Sequence, residues 1–144
     1  MKVSQNWLKS LVEINTTADD LSEKLSIGGF EVESLVDCSE KVKGIVLGKV
    51  LSVVKHDNSD KLSICSVDIG NSNPLQIICG AKNISPYIHV YVATVGAHLS
   101  AINLTIKKSE IRGVFSEGMI CSFEELGVEE SSDGIAIISD DIAL

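Results

Sequence analysis

Between residues 42 and 112 the chain repeats one device: a short run of Val, Ile and Leu, then a break at glycine, asparagine or proline. The runs cover residues 42–54, 62–69, 75–79, 87–95 and 104–112. The breaks carry turn chemistry, as in His56-Asp57-Asn58-Ser59-Asp60 and Gly70-Asn71-Ser72-Asn73-Pro74, where Asp and Asn bond to nearby backbone and Gly and Pro set φ. In the second run Leu62, Ile64 and Ser66 oppose Cys65, Val67 and Ile69, the period of a strand with two different faces. Gly48, inside the first run, predicts a bulge or a sharp bend. Five strands this closely spaced predict a small Greek-key barrel of the oligonucleotide and oligosaccharide binding (OB) type.

The flanks read differently. Ser4 caps a short helix carrying Trp7, Leu8, Leu11 and Val12 at helical spacing. Thr17-Ala18-Asp19-Asp20 opens a second helix, Leu21 and Leu25 give its apolar face, and Gly28-Gly29 stops it. Phe30, Val32 and Ser34 alternate with Glu31 and Glu33, which predicts a strand with one wet face. The helix-helix-strand piece has too little apolar surface to stand alone. It must dock on something, and the expected boundaries are residues 1–39 for this piece, 40–127 for the barrel, with the polar link at 38–43, and 128–144 for the segment after it. Within that segment residues 135–139 read as a short strand, and 123–126 before it as one helical turn.

After the fifth run comes Gly113-Val-Phe-Ser-Glu-Gly-Met-Ile-Cys-Ser122, read as a loop. Its glycines allow tight turns at Gly113 and Gly118, with Ser116, Met119 and Ser122 presented outward.

Charge is unevenly distributed. The net charge is -8, which argues against a nucleic-acid binder. From residue 44 to 123, however, the seven cations Lys49, Lys55, Lys61, Lys82, Lys107, Lys108 and Arg112 outnumber five acids. The acidity sits in the flanks, and the centre can present a modest basic face. Aromatics are only 4% of the chain, which disfavours an extended base-stacking platform and favours recognition of folded RNA by backbone shape.

Other chemistries find little support. His56, Asp60 and Cys65 lack the close Cys or His pairing of a structural zinc site, and a turn stabilised by Asp and Asn explains the segment. Ser116, His89 and His98 have no local spacing that joins nucleophile to base, and the chain holds no Gly-x-x-x-x-Gly-Lys-Ser/Thr loop. The four cysteines, Cys38, Cys65, Cys79 and Cys121, form no Cys-x-x-Cys pair and are read as reduced and structural. With no apolar run near the roughly 20 residues that span a bilayer, and no signal-like opening, a cytoplasmic, non-membrane protein is expected.

Five ordered motifs now combine: residues 56–62, Cys79-Gly80-Ala81-x-Asn83, Val92-Ala93-x-Val95-Gly96-Ala97, Ile106-Lys107-x-Ser109-x-Ile111-Arg112-Gly113 and Ser116-x-Gly118-Met119-x-Cys121-Ser122. Together they resemble the tRNA-binding OB domain of bacterial phenylalanyl-tRNA synthetase β subunits, over residues 44–127. Lys2-Val3-Ser4-x-x-Trp7-Leu8 and Gly28-Gly29-x-Glu31-Val32-Glu33 are similar to the opening of the same subunits, which implies that residues 1–39 are one half of a split α+β domain and that 128–144 is a return segment toward it. The departures are Ser59, Ser85-Pro86 and the acidic flank.

The resemblance implies a non-catalytic, tRNA-binding accessory module of an enzyme that joins phenylalanine to its tRNA at the expense of ATP. It implies partners: tRNA, the remaining β subunit, and an α subunit in an α2β2 parent, with no membrane or DNA. No cofactor is implied in the fragment, and ATP and Mg are implied only for the parent. Lys49, Lys82, Asn83, Arg112, Ser116, Met119 and Ser122 are the implied RNA face, cations and amide on phosphate and sugar, loop groups at close backbone approach. The alternative is an OB barrel used for protein docking or dimerisation, with little RNA affinity of its own.

Overall fold

A computed structural model describes residues 1–37, 39 and 42–138. The chain divides into two compact units, Met1–Asp37 and Cys38–Leu144. Cys38, Glu40 and Lys41 of the expected link, and residues 139–144 of the return segment, lie outside the described residues.

The first unit holds α1 (Gln5–Leu11) and α2 (Ala18–Ile27), each capped as its sequence predicts. The Ser4 hydroxyl accepts from Trp7 N and the Thr17 hydroxyl from Asp20 N. Helix α2 ends in a Schellman motif: Gly29, at φ 94°, donates its N–H to Ser26 O, and Phe30 donates to Leu25 O. That motif explains a correction. The strand expected from Phe30, Val32 and Ser34 does not form, because Phe30 N–H is spent on the helix end and Val32 N–H on the Ser26 hydroxyl. Alternation gives a strand its faces, but only a partner's ladder makes it a strand. Neither helix buries a residue, and Trp7, Leu11, Val12, Ile27 and Phe30 are exposed.

The second unit is a nearly closed five-stranded barrel. Its strands are β1 (Ile45–His56), β2 (Ser59–Asp68), β3 (Leu75–Cys79), β4 (His89–Thr94) and, closing the set, a short strand at Gly118–Ile120. All neighbours are antiparallel: β3 on β2, β2 on β1, β1 on β4, and β4 on the closing strand. Inward-facing Val50, Cys65, Val67, Ile77, Val90 and Val92 are fully buried and form the main core. A second cluster gathers Ala93, Ala97, Leu99, Ile106 and Cys121.

The fifth strand is not where the pattern placed it. Residues 104–112 break in two: β6 (Leu104–Thr105) pairs with β5 (His98–Leu99), and β7 (Ser109–Ile111) pairs with β8 (Val114–Ser116). Ile106 causes the break, since its side chain is buried and its N–H and C=O bond to Ala97 O and Gly96 N. The segment expected as a loop, 113–122, therefore supplies β8 and the true closing strand, β9 (Gly118–Ile120). Last, β10 (Ile137–Ile138) adds to β4 beyond the end of β9.

Gly48 also differs from expectation. The β1 register with β4 runs through it unbroken, and against β2 the shifts fall between Val50 and Ser52 and at Lys55–His56. A Cβ at Gly48 would come 2.8 Å from methyls of both Val67 and Val92. Crowding in the core, not a bend, calls for glycine there. Among the described residues no helix is long and apolar enough to cross a membrane.

Three core cysteines are free thiols. Burial pushes Cys65 up to about 12 and Cys121 up to about 11, from an ordinary 9.0, and raises Cys79 as well. In the unfolded chain these thiols ionise near 9 while the folded ones stay neutral. Their contribution is therefore intact below that pH and lost as pH rises through the folded values. The urea midpoint should fall between about pH 8 and 10, and fall less in Cys65→Ala; an equal fall in the variant would contradict this assignment.

Candidate nucleic-acid interface

Two hairpin tips far apart in sequence are latched together. The β1–β2 turn is Asp57-Asn58, and the β7–β8 turn is Arg112-Gly113, with φ values of 52° and 88° that make it the left-handed two-residue type suited to strand twist. The Arg112 guanidinium donates to Asn58 O at 3.0 Å, and the Asn58 amide donates back to Arg112 O at 3.3 Å. Beneath them His56 is buried, and its Nδ1 accepts from Asn58 N at 3.1 Å. The ring proton is thereby assigned to Nε2, which donates to Ile111 O at 3.2 Å. Both His56 nitrogens are used, so the histidine entertained as a zinc ligand is a structural latch. Among the described residues no three His, Cys, Asp or Glu side chains gather as a metal site.

Cations surround this end and neighbouring strands. Lys55, Lys61, Lys107 and Arg112 are exposed. Lys108 is engaged: its ammonium lies 2.7 Å from Glu117 and 5.5 Å from the centre of the half-exposed Phe115 ring. The bond from Lys108 holds the Glu117 carboxyl below its ordinary range.

The residues expected on the RNA face divide into groups. Met119 and Ser122 line one shallow groove of about 340 Å³, together with Gly80, Ala81, Glu125 and Ile135. Lys82, exposed, follows Ala81 directly. Ser122 and Glu125 form a capping box around the turn at 123–127: Ser122 N donates to Glu125 Oε2 at 2.7 Å, and Glu125 N donates to the Ser122 hydroxyl at 3.1 Å. Asn83 uses its amide as a strand mimic, donating to Ile135 O and accepting from Ile135 N, each at 3.0 Å. It ties the return segment to the barrel. Lys49 projects from the outer face of β1, exposed between Gly48 and Val50, which are both buried.

Ser116 is corrected outright. It is buried, not presented outward, and its hydroxyl accepts from Ile78 N at 3.1 Å while donating to Gly118 O at 3.0 Å. With Glu117 N on Gln76 O and the Gln76 amide on Phe115 O, it closes the barrel between β3 and the β8–β9 segment. Gly118 makes no turn: a Cβ there would meet Ala93 O at 2.9 Å. The local sequence gave no sign of the His56–Asn58 latch, because its partners lie 54 and 55 residues away.

This architecture is that of an OB-type binding barrel, whose β1–β2 loop and the connection between its last two strands commonly receive oligonucleotides or oligosaccharides. Residues 45–144 match the family model described as "Putative tRNA binding domain", and the chain belongs to that family. The chain is 86% identical over 144 residues to the phenylalanine–tRNA ligase beta subunit of Prochlorococcus marinus subsp. pastoris (strain CCMP1986 / NIES-2087 / MED4), covering 100% of this chain and 18% of that protein. It is 75% identical to the same subunit of Prochlorococcus marinus (strain MIT 9312), again over 100% and 18%. For Synechococcus sp. (strain CC9605) the identity is 56%, over 97% of this chain and 17% of the relative. The chain thus spans under a fifth of the length of these curated relatives.

Ser116→Ala leaves Ile78 N and the buried Gly118 O without their partner, and His56→Ala removes a buried ring together with its bonds to Asn58 N and Ile111 O; each change costs about 1–3 kcal/mol. Urea titration should show both variants destabilised to that extent; a loss below about 0.5 kcal/mol, the ordinary range for surface changes, would show that these side chains are not the latches described.

Proposed function

We propose that this chain is the tRNA-contacting accessory module of a phenylalanine–tRNA ligase β subunit, and that the barrel serves the enzyme by holding folded tRNA through its backbone. The observation that carries this reading is 86% identity, without interruption of coverage, to a subunit so named. The barrel fits the role. Exposed Lys49, Lys82 and Arg112 offer cations to phosphates, with Met119 and Ser122 at the groove beside the Lys82 loop. Buried Ser116 acts from behind that surface by closing the barrel, while Asn83, itself exposed, uses its amide to pin the return segment.

In this reading the ligase as a whole attaches phenylalanine to tRNA with ATP and Mg2+, and the barrel takes no part in the chemistry. The chain has no phosphate-cradling glycine loop, and among the described residues no acidic cluster suited to a divalent cation. The remaining β chain and an α subunit are the protein partners. The exposed Trp7, Leu11, Ile27 and Phe30 of residues 1–37 suit one half of a split domain that packs against downstream β chain. The cytoplasm, where tRNA is charged, is the proposed location.

Titration of the chain with tRNA should show affinity falling linearly with salt on logarithmic axes. Lys82→Ala and Lys49→Ala should each weaken binding and lower the salt slope by about one. Salt-insensitive self-association without RNA binding would overturn the proposal in favour of a docking barrel.

A further inference from the structure

Three described non-glycine residues adopt positive φ: Asn103 at 49°, Arg112 at 52° and Tyr87 at 69°. Asparagine tolerates that region, and Arg112 belongs to the latched two-residue turn. Tyr87 has neither reason. Its backbone is fixed by neighbours: Tyr87 N donates to Val50 O at 2.7 Å, and Val50 N to Ile88 O at 3.0 Å. Ile84 and Ile88, on either side, pack against the main core. These bonds and contacts impose a left-handed residue at position 87, which glycine would supply without strain. The tyrosine side chain gives the barrel little in return, being 73% exposed. A bulky ring kept at a strained position and turned to solvent points to a use outside the fold.

Its surroundings indicate which use. Register places Lys49 opposite His89, two residues along from Tyr87, and Lys49 and Leu51 are both exposed on β1. The loop leading to Tyr87 carries exposed Lys82. Asp68, the other cross-strand neighbour of Lys49, uses its carboxylate on Gly70 N. An exposed aromatic ring, on a segment whose register neighbour and preceding loop each carry an exposed lysine, suits an unpaired base whose flanking phosphates meet those cations. We infer that Tyr87 is a stacking platform for one unpaired base of the bound RNA, with Lys49 and Lys82 on the adjoining phosphates. The inference rests on the RNA-contacting reading of the barrel and adds to it a contact with a base, which backbone recognition does not require.

The test measures binding of the 144-residue chain and its Tyr87→Gly, Tyr87→Leu and Tyr87→Phe variants to a tRNA transcript and to a blunt RNA duplex at one salt concentration, alongside urea denaturation. Tyr87→Gly should be at least as stable as the parent yet bind tRNA about tenfold more weakly, the worth of one stacked base, with duplex affinity unchanged. Tyr87→Leu, which keeps the bulk and the strain, should lose the same affinity, and Tyr87→Phe should keep it within about twofold. Undiminished tRNA binding by the glycine or leucine variant would overturn the stacking role and leave the RNA reading standing, as would an equal loss on duplex. Absence of tRNA binding by the parent chain would overturn both.

Discussion

The closure of this barrel hangs on a serine hydroxyl. Strands β1 to β4 and β9 are joined by antiparallel ladders, but the last seam, from β3 back to residues 115–118, is not. There Ser116 Oγ bridges Ile78 N and Gly118 O, while Gln76 takes Glu117 N on its carbonyl and gives its amide to Phe115 O. Glycine is required at position 118, because a Cβ there would come 2.9 Å from the Ala93 carbonyl oxygen. With the seam closed, the β7–β8 hairpin gains a floor, and its tip reaches the β1–β2 turn.

The latch at those tips carries the constraint outward. Arg112 and Asn58 exchange hydrogen bonds and the neutral His56 ring joins both backbones, so two loops that could move independently are held as one surface. Binding through such a surface avoids much of the ordering cost that flexible loops would incur. The same economy explains why the chain manages with an overall charge of -8. Acids are concentrated in the flanks, and Lys49, Lys55 and Lys61 are carried on the paired strands β1 and β2.

How much of this was legible beforehand depended on the range of each interaction. Both helices and their caps follow from residues three or four apart, and the first four barrel strands from apolar runs bounded by turn residues. The fifth strand was misplaced because Ile106, read as part of one run over 104–112, turns inward and bonds to Ala97 and Gly96. The strand at 30–34 failed for the opposite reason: its local pattern was right and no ladder met it. Among the site residues, exposure of Lys49, Lys82 and Arg112 was readable from strand period and turn position. Ser116 and Asn83 were not, because a hydroxyl or amide looks alike whether it faces RNA or replaces a backbone partner 38 or 52 residues away. Tyr87 carries its signal only in a backbone angle.

The central claim is that the barrel, not the helical unit before it, is the surface that meets tRNA. Amide shift mapping of the 15N-labelled chain during tRNA titration tests it most directly. The account predicts salt-sensitive shifts clustered at residues 49–51, 56–61, 80–87 and 107–113, with residues 1–37 unmoved. Shifts confined to residues 1–37, or unaltered spectra at saturating tRNA, would contradict it.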